Sequence, residues 1–463
     1  MTGRRPKMPN RALAVLLTTH GISHKGLAFR VNQLAEQHGS KTTSYNHSSV
    51  ARWTKGSIPQ EPVPQLIARA FTERIGRTVT VEEIGMGAVA DNAAVGWDFP
   101  RDRAEAIAIA QAHWAASGHV AGRFAVSGYG IAVTRWLAVP SDRVVWGTSA
   151  AGRQIGLADL AELRSAAEQA RQWDAQFGGG NWRMSSAAQC LRNQALPLLA
   201  GSHSEKVGRE LFSVTAELGR VLGWAAFDSG DSAAAQQHLI QALRLARAGG
   251  DVEMGTYILT TMALHTLLEG APDEALDMAQ GAFHQGRNHA SRRVLAFAKL
   301  AEARALGRLE DGTGATTALS RAESWLNKIN TATRDPNWLG YVTPGRLAAD
   351  ASEIFRDLRK PAVSLTWNDQ AESLCDTTAA RAVGLRLAIA ATAACQARDL
   401  DRAVDYAERS LGLLSRVDSA RARIHLQDVA AALMPWAEEQ HAKDIIERLR
   451  QASSPLPAPA VIP

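Results

Sequence analysis

Apolar residues recur three and four positions apart along most of this 463-residue chain, as they do on the buried face of an α-helix. Leu27, Val31 and Leu34 form one such stripe, and Leu66 and Ala70 belong to another. Alanine and leucine, both strong helix formers, fill much of the sequence between such positions. The pattern predicts an all-α fold, and the length predicts two or three domains.

The segment 45–56 has the pattern of a short helix with one buried and one basic face. Val50 and Trp53 lie three residues apart and therefore share a face, as do Arg52 and Lys55. Small and polar residues open the segment, and Gly56 is the expected C-cap. The side chains expected to face solvent are Asn46, His47, Ser48, Ser49 and Arg52. A recognition helix for DNA needs this arrangement, and an ordinary amphipathic surface helix shows it equally well.

Positive charge is concentrated in the first 86 residues. They hold 12 Lys and Arg against 5 Asp and Glu, which leaves a formal charge of +7. The whole chain carries +5, so the other residues are slightly acidic. The basic excess coincides with the candidate recognition helix and indicates a polyanionic partner.

Further runs of sequence stand out in residues 10–86, namely Gly26–Asn32, Asn46–Gly56, Val63–Ala68, Gly76–Thr80 and Ile84–Met86. Together they resemble the lambda-repressor-like, xenobiotic-response-element type of helix-turn-helix domain found in actinomycete regulators. The segment Glu36–Tyr45 is longer than the connection between the core helices in compact members of that class. The resemblance implies a domain over residues 1–86 that binds double-stranded DNA. Its candidate DNA-binding residues are Lys41, Tyr45, Asn46, His47, Ser48, Ser49, Arg52 and Lys55.

Residues 87–150 are expected to form a helical connector. Gly85–Val95 is rich in glycine and alanine and is a candidate hinge. After Pro100, the spacing of apolar residues predicts a helix over Arg101–Ser117, and Ile131–Val139 forms an apolar stripe that Pro140 ends. The sequence leaves open whether this connector packs on the rest of the chain or on a partner chain.

Residues 151–455 contain an internal repeat. Ala235, Ala275 and Ala315 are each 40 residues apart, and Gly230-Asp231 has the composition of the turn inside a helix pair. These positions resemble the tetratricopeptide consensus, although the period is longer than usual. The resemblance implies an α-solenoid of helix pairs, and the alternative is an irregular α-helical bundle. Residues 456–463 are expected to be a disordered tail.

A solenoid of this kind has a concave face lined by the first helix of each pair. By register, the candidate ligand-binding residues on that face are Arg220, Trp224, Tyr257, Arg304 and Arg308. The aromatic insert Asn337–Tyr341 lies between two repeats. It is expected to fill a repeat junction rather than to cap a pocket.

The combined resemblance is to actinomycete regulators of differentiation and secondary metabolism. It implies a sequence-specific DNA-binding transcriptional regulator whose repeats sense a small molecule or peptide, or bind a protein partner. A homodimer is expected, because specific binding usually needs two DNA-binding heads, and the connector offers an apolar stripe. The alternative is a repeat-containing adaptor whose basic head binds protein and does not read DNA.

The sequence contains no sign of catalysis, of a cofactor or of a metal site. A nucleophile elbow, a Walker loop, a zinc signature and a dinucleotide fingerprint are all missing from it, so we do not expect an enzyme. Cys190, Cys375 and Cys395 lie far apart and are expected to be reduced core residues. Because no signal peptide and no apolar run of about 18 residues occurs, a cytoplasmic protein is expected.

Overall fold

The computed structural model describes residues 10, 13, 16–17, 20–37, 44–55, 57, 59, 62–75, 79, 81, 84, 86, 97–115, 123–142, 155–180, 184–201, 203–329, 335–374 and 379–454. The chain divides into two compact units, 1–94 and 95–463. Several predicted features lie outside the described residues: Lys41, Gly56, Cys375, the hinge Gly85–Val95 apart from Met86, and the tail 456–463.

The described residues of the first unit include three helices, α1 (His24–Gln37), α2 (His47–Thr54) and α3 (Val63–Ile75). Helix α1 contacts both others, so that their apolar stripes meet in one core. Leu27, Val31, Val50, Trp53 and Phe71 are all buried in this core. The spacing of the apolar residues therefore predicted the buried faces of these helices correctly.

The second unit begins with α4 (Arg103–Ala115), α5 (Gly130–Ala138), α6 (Leu157–Phe177), α7 (Met184–Cys190) and α8 (Leu196–Leu199). It continues with α9 (Glu205–Ser229), α10 (Ser232–Gly249), α11 (Val252–Leu268), α12 (Pro272–Gly286), α13 (Arg292–Arg308) and α14 (Gly312–Asn327). The last helices are α15 (Pro344–Asp357), α16 (Pro361–Leu374), α17 (Ala380–Gln396), α18 (Leu400–Leu414), α19 (Ala420–Leu433) and α20 (Gln440–Ser453). The described residues contain no strand, which confirms the predicted all-α fold.

From α9 onward, consecutive helices pack in pairs, α9 with α10 through α19 with α20, in a solenoid-like stack. The repeated alanines Ala235, Ala275 and Ala315 lie near the start of three second helices, and all three are buried. Between α9 and α10, Gly230 has φ +99°, a left-handed conformation that favours glycine. Asp231 then caps α10 by accepting a hydrogen bond from the Ala234 amide at 2.9 Å.

The connector helices α4 and α5 pack on the helix pairs of their own chain. Trp136 is completely buried over Gly255, where an added Cβ would lie 2.6 Å from the indole nitrogen. Leu137 packs against Gly281 in the same way, whereas Ile131 and Val139 remain exposed. Most of the apolar stripe that suggested a dimer contact is therefore used within the chain.

The stack of pairs curls until its last helices meet its first ones. Helix α17 contacts α6, which precedes the first pair, and α19 contacts α9, which lies five pairs earlier. The Asp418 amide donates to the Phe177 carbonyl at 3.1 Å, and the Gly180 amide donates to the Asp418 carbonyl at 3.2 Å. The chains approach so closely that a Cβ on Gly179 would lie 2.2 Å from the Ala225 carbonyl oxygen. The first helices of the pairs therefore line an interior, hereafter the superhelix interior.

The two described cysteines, Cys190 and Cys395, differ in how deeply they are buried. Cys395 is buried, and burial raises the pKa of its thiol to about 12. Cys190 was expected in the core but is only half-buried, and it packs against the core from outside.

Among the described residues, every helix is too short or too polar to span a lipid bilayer.

Candidate functional site

Helix α2 is held in place by its two ends and by its buried face. The Asn46 side chain accepts a hydrogen bond from the Ser49 amide at 3.1 Å, and the Ser49 hydroxyl faces the Asn46 amide in a capping box. Val50 and Trp53 fill the core, with Trp53 only 4% exposed. The helix ends one residue earlier than expected, because Lys55 forms the C-cap in the place predicted for Gly56.

The candidate DNA-binding residues from His47 to Lys55 differ in exposure. His47, Ser48, Arg52 and Lys55 are exposed, and we refer to these four as the basic face of α2. Ser49 is only 6% exposed and is occupied by the capping box, so its side chain is not presented to solvent.

The two residues before α2 have mainly positioning roles. Asn46 is exposed, but its side chain caps the helix. The ring of Tyr45 packs against Trp53 with centroids 5.4 Å apart. The Asn32 side chain on α1 donates to the Tyr45 carbonyl and accepts from the Tyr45 amide, both at 2.8 Å. This two-point attachment fixes the start of α2 relative to α1. Asn32 was not singled out from the sequence, because an asparagine inside a helix gives no signal of a distant backbone partner.

In the second unit, all five candidate ligand-binding residues lie on first helices, at positions facing the superhelix interior. The Arg220 guanidinium lies 4.6 Å from the centre of the Tyr257 ring, and the Arg421 guanidinium lies 5.2 Å from the centre of the Trp224 ring. Arg220 and Trp224 are one turn apart on α9. The structure therefore brings Arg220, Trp224 and Tyr257 together and adds Arg421, which the repeat register had not indicated.

The other two candidates belong to an ion cluster on α13 and α15. Arg304 contacts Glu353 at 2.7 Å, and Arg308 contacts Asp357 at 2.7 Å and Glu353 at 3.7 Å. Burial alone would raise the pKa of Glu353, but Arg304, Arg356 and Arg308 hold this pKa well below its usual range. Glu353 is therefore ionised and forms the ion pair with Arg304. Both candidates, Arg304 and Arg308, thus already have carboxylate partners within the chain.

The aromatic insert reaches farther than its place between repeats suggested. Trp338 stacks on Tyr257 with centroids 4.7 Å apart and an interplanar angle of 18°. The Tyr341 hydroxyl lies 3.0 Å from the Tyr257 hydroxyl, and the Tyr341 ring meets Phe297 edge-on. Because Tyr257 and Phe297 belong to α11 and α13, the insert covers earlier pairs and does not only fill a junction.

One carboxylate at the closure of the superhelix was missed by sequence reasoning. Asp228 is fully buried and accepts hydrogen bonds from Arg381 at 2.8 Å, the Gly179 amide at 2.9 Å and the Ser419 hydroxyl at 2.9 Å. Arg381 also contacts Asp174 at 2.8 Å. The run Gly178-Gly179-Gly180 was the available signal, since consecutive glycines permit close backbone approach.

An open cleft of about 640 Å³ lies beside this interior, lined among others by Arg171, Glu217 and Trp338. Arg171 on α6 forms an ion pair with Glu217 on α9. Glu217 is three residues before Arg220, so the cleft adjoins the Arg220 side of the superhelix interior. Its volume is in the range of small-molecule sites.

A buried histidine joins the connector to the helix pairs. The Nδ1 atom of His265 lies 2.8 Å from the Tyr129 hydroxyl, and its ring packs on Phe124 and Phe227 at 4.7 and 4.8 Å. Burial lowers the pKa of His265 to about 3, so the ring is neutral at pH 7.

We expect this histidine to make the second unit sensitive to acid. As pH falls below the unfolded-state pKa of about 6.5, the unfolded chain binds a proton that the folded chain excludes until about pH 3. The free energy of unfolding should therefore fall by about 1.4 kcal/mol per pH unit from this group. Urea denaturation between pH 6 and pH 4 should show a shallower slope for His265→Gln than for the wild type. The matched variant of an exposed histidine, His441→Gln, should keep the wild-type slope.

The first unit matches a family of known proteins over most of its length. Residues 13–87 match the family model described as the SP15 N-terminal domain. No curated protein matches the chain. The matched range contains α1, α2 and α3, and the description states no activity.

Proposed function

We propose that this protein is a sequence-specific DNA-binding transcriptional regulator. The supporting observation is the basic face of α2, where Arg52 and Lys55 are exposed while Val50 and Trp53 anchor the helix. Such a helix can present donors to base edges and cations to phosphates. The +7 charge of residues 1–86 and their resemblance to helix-turn-helix domains of the XRE class support the same partner.

The second unit, in this proposal, carries the signal. Its helix pairs resemble tetratricopeptide repeats, and its interior gathers arginine and aromatic side chains beside an open cleft. We propose that it binds a small molecule or peptide, or a protein partner, and that the regulator acts as a homodimer. A dimer would place two DNA-binding heads on two half-sites, so that the whole site is longer than the short half-site one helix can read.

The DNA-binding proposal predicts different effects for two exposed arginines of the first unit. Genomic fragments retained by the full-length protein would supply the site, and fluorescence anisotropy would measure affinity for it. Arg52→Ala should weaken binding by about 1–3 kcal/mol, because Arg52 lies on the basic face of α2. Arg74→Ala, an exposed arginine on α3, should change affinity far less. Affinity should also fall steeply with salt, since bound phosphates release counterions.

Three results would count against this proposal. They are failure of the intact protein to retain any duplex, salt-independent binding, and equal effects of the Arg52 and Arg74 substitutions. Light scattering of the complex should give two chains per site. Binding of a protein partner by the first unit, without duplex binding, would favour the adaptor alternative.

A further inference from the structure

Arg220 is a buried cation that lacks a carboxylate partner among the described residues. Its residue surface is 7% exposed, and its Nε donates to no acceptor in the part of the chain that the structure describes. The guanidinium instead lies over the Tyr257 ring. A buried charge is costly unless it is paired, so this position lacks a negative group.

Three nearby interior arginines each have a carboxylate partner. These are Arg171 with Glu217, Arg304 with Glu353, and Arg346 with Asp350. Arg220 is therefore distinguished from them by an uncompensated charge of +1. A single negative charge on a ligand would neutralise it.

Arg421 is a second, weakly paired cation near Arg220. It stacks on Trp224, one helical turn from Arg220, and its nearest carboxylate oxygen is 3.9 Å away on Asp228. That carboxylate is already bound by Arg381 at 2.8 Å, and the Nε of Arg421 has no acceptor among the described residues. Burial, together with Arg381 and other arginines, lowers the pKa of Arg421 to about 10 against the effect of Asp228.

Flat aromatic surfaces accompany these cations. The Tyr341 residue is 43% exposed, and its hydroxyl lies 3.0 Å from the hydroxyl of Tyr257, the ring on which the Arg220 guanidinium lies. An accessible part of Tyr341 is therefore close to Arg220. Tyr341 and Trp224 can pack against a planar group, while the in-plane donors of a stacked guanidinium remain free for a carboxylate.

We propose that the superhelix interior binds a small aromatic carboxylic acid in its ionised form. The carboxylate pairs with Arg220, with Arg421 as the second cation, and the ring packs against Tyr341 and Trp224. The cleft lined by Arg171, Glu217 and Trp338 lies next to this site, because Glu217 is one helical turn from Arg220 on α9. This inference rests on the proposed sensing role of the helix pairs and names the chemical class of the signal.

The test uses the full-length protein and 1-naphthoate as the probe, with titration calorimetry in the absence of DNA. The uncharged analogue 1-naphthamide is the matched control ligand, and inorganic phosphate tests for simple anion binding. Naphthoate should bind at least roughly tenfold more tightly than either control, since a charged hydrogen bond contributes more than a neutral one. Arg220→Gln should weaken naphthoate binding by roughly 10- to 100-fold. Arg321→Gln, which removes an exposed arginine on α14, should leave it unchanged.

Circular dichroism should show that Arg220→Gln folds normally, because the substitution removes an unpaired buried charge. Three outcomes would overturn the inference: no naphthoate binding at millimolar concentration, equal binding of acid and amide, or unchanged affinity in folded Arg220→Gln. The comparison of acid with amide needs no variant, so a misfolded variant does not remove the test. Naphthoate binding without DNA binding would contradict the proposed regulator and leave this inference standing.

Discussion

Asp228→Ala should lower the free energy of unfolding of the second unit by about 3–5 kcal/mol, the usual cost of removing one partner from a buried ion pair. The substitution leaves Arg381 with Asp174 alone, and it strips Arg421 of its nearest carboxylate. Burial would raise the pKa of Asp228, but Arg381 and Arg421 hold that pKa below its usual range. The stabilisation is therefore present at neutral pH and is lost as pH falls through the folded-state pKa.

Chemical denaturation at pH 7 would measure this effect, with small-angle X-ray scattering to detect opening of the superhelix. Asp405→Ala is the matched control, because the Asp405 pair with Arg409 is exposed on the surface. That control should cost less than about 1 kcal/mol. A cost for Asp228→Ala no larger than for Asp405→Ala would mean that the closure does not depend on this carboxylate.

Trp53→Ala should unfold the first unit while the second unit stays folded. Trp53 is buried against Tyr45 and the apolar core of the first unit, and loss of a buried tryptophan costs about 3–5 kcal/mol. That cost approaches the whole stability of a small domain. Hydrogen exchange followed by mass spectrometry should show lost protection in α1 and α3, with protection retained in α9 to α19.

Arg52→Ala is the control for this second substitution. Arg52 lies on the same helix but is exposed, so its removal should leave the exchange pattern unchanged. If the first unit binds DNA as proposed, Trp53→Ala should abolish binding through unfolding, whereas Arg52→Ala should only weaken binding by a folded domain. Normal protection of α1 in Trp53→Ala would show that the core does not depend on the indole ring.

The spacing of residues along the sequence correctly predicted which face of a helix is buried and where the repeated alanines recur. Val50 and Trp53 are three residues apart, which is enough to define the buried face of α2. Likewise, the 40-residue interval from Ala235 to Ala275 placed equivalent alanines on successive second helices. Ser49 was assigned to the exposed face because helical position alone does not reveal that a hydroxyl completes a capping box.

Contacts between distant parts of the chain were not predictable in this way. Tyr257 and Tyr341 are 84 residues apart, and Asp228 and Arg381 are 153 residues apart. Their meeting depends on the small rotation between successive pairs, summed over all the pairs that separate them. The repeat period of one sequence shows that helix pairs are present, but it does not reveal the angle through which each pair is rotated from the one before. The arginine and aromatic residues of the interior could therefore be proposed as candidates, while the missing partner of Arg220 could not.

The closure of the superhelix has a consequence for how the second unit folds. In an open array of helix pairs, each pair contacts its neighbours only, and folding can spread from any point. Here the bond between Arg381 and Asp174 joins residues 207 positions apart, which couples the two ends of the array and raises the contact order. During synthesis, the chain must extend into α19 before Asp228 can acquire all its partners, because Ser419 caps this helix and Arg421 lies in its first turn. Until then, Arg220 and its neighbours face water in an open array, so the interior is completed only when the last pairs have been made.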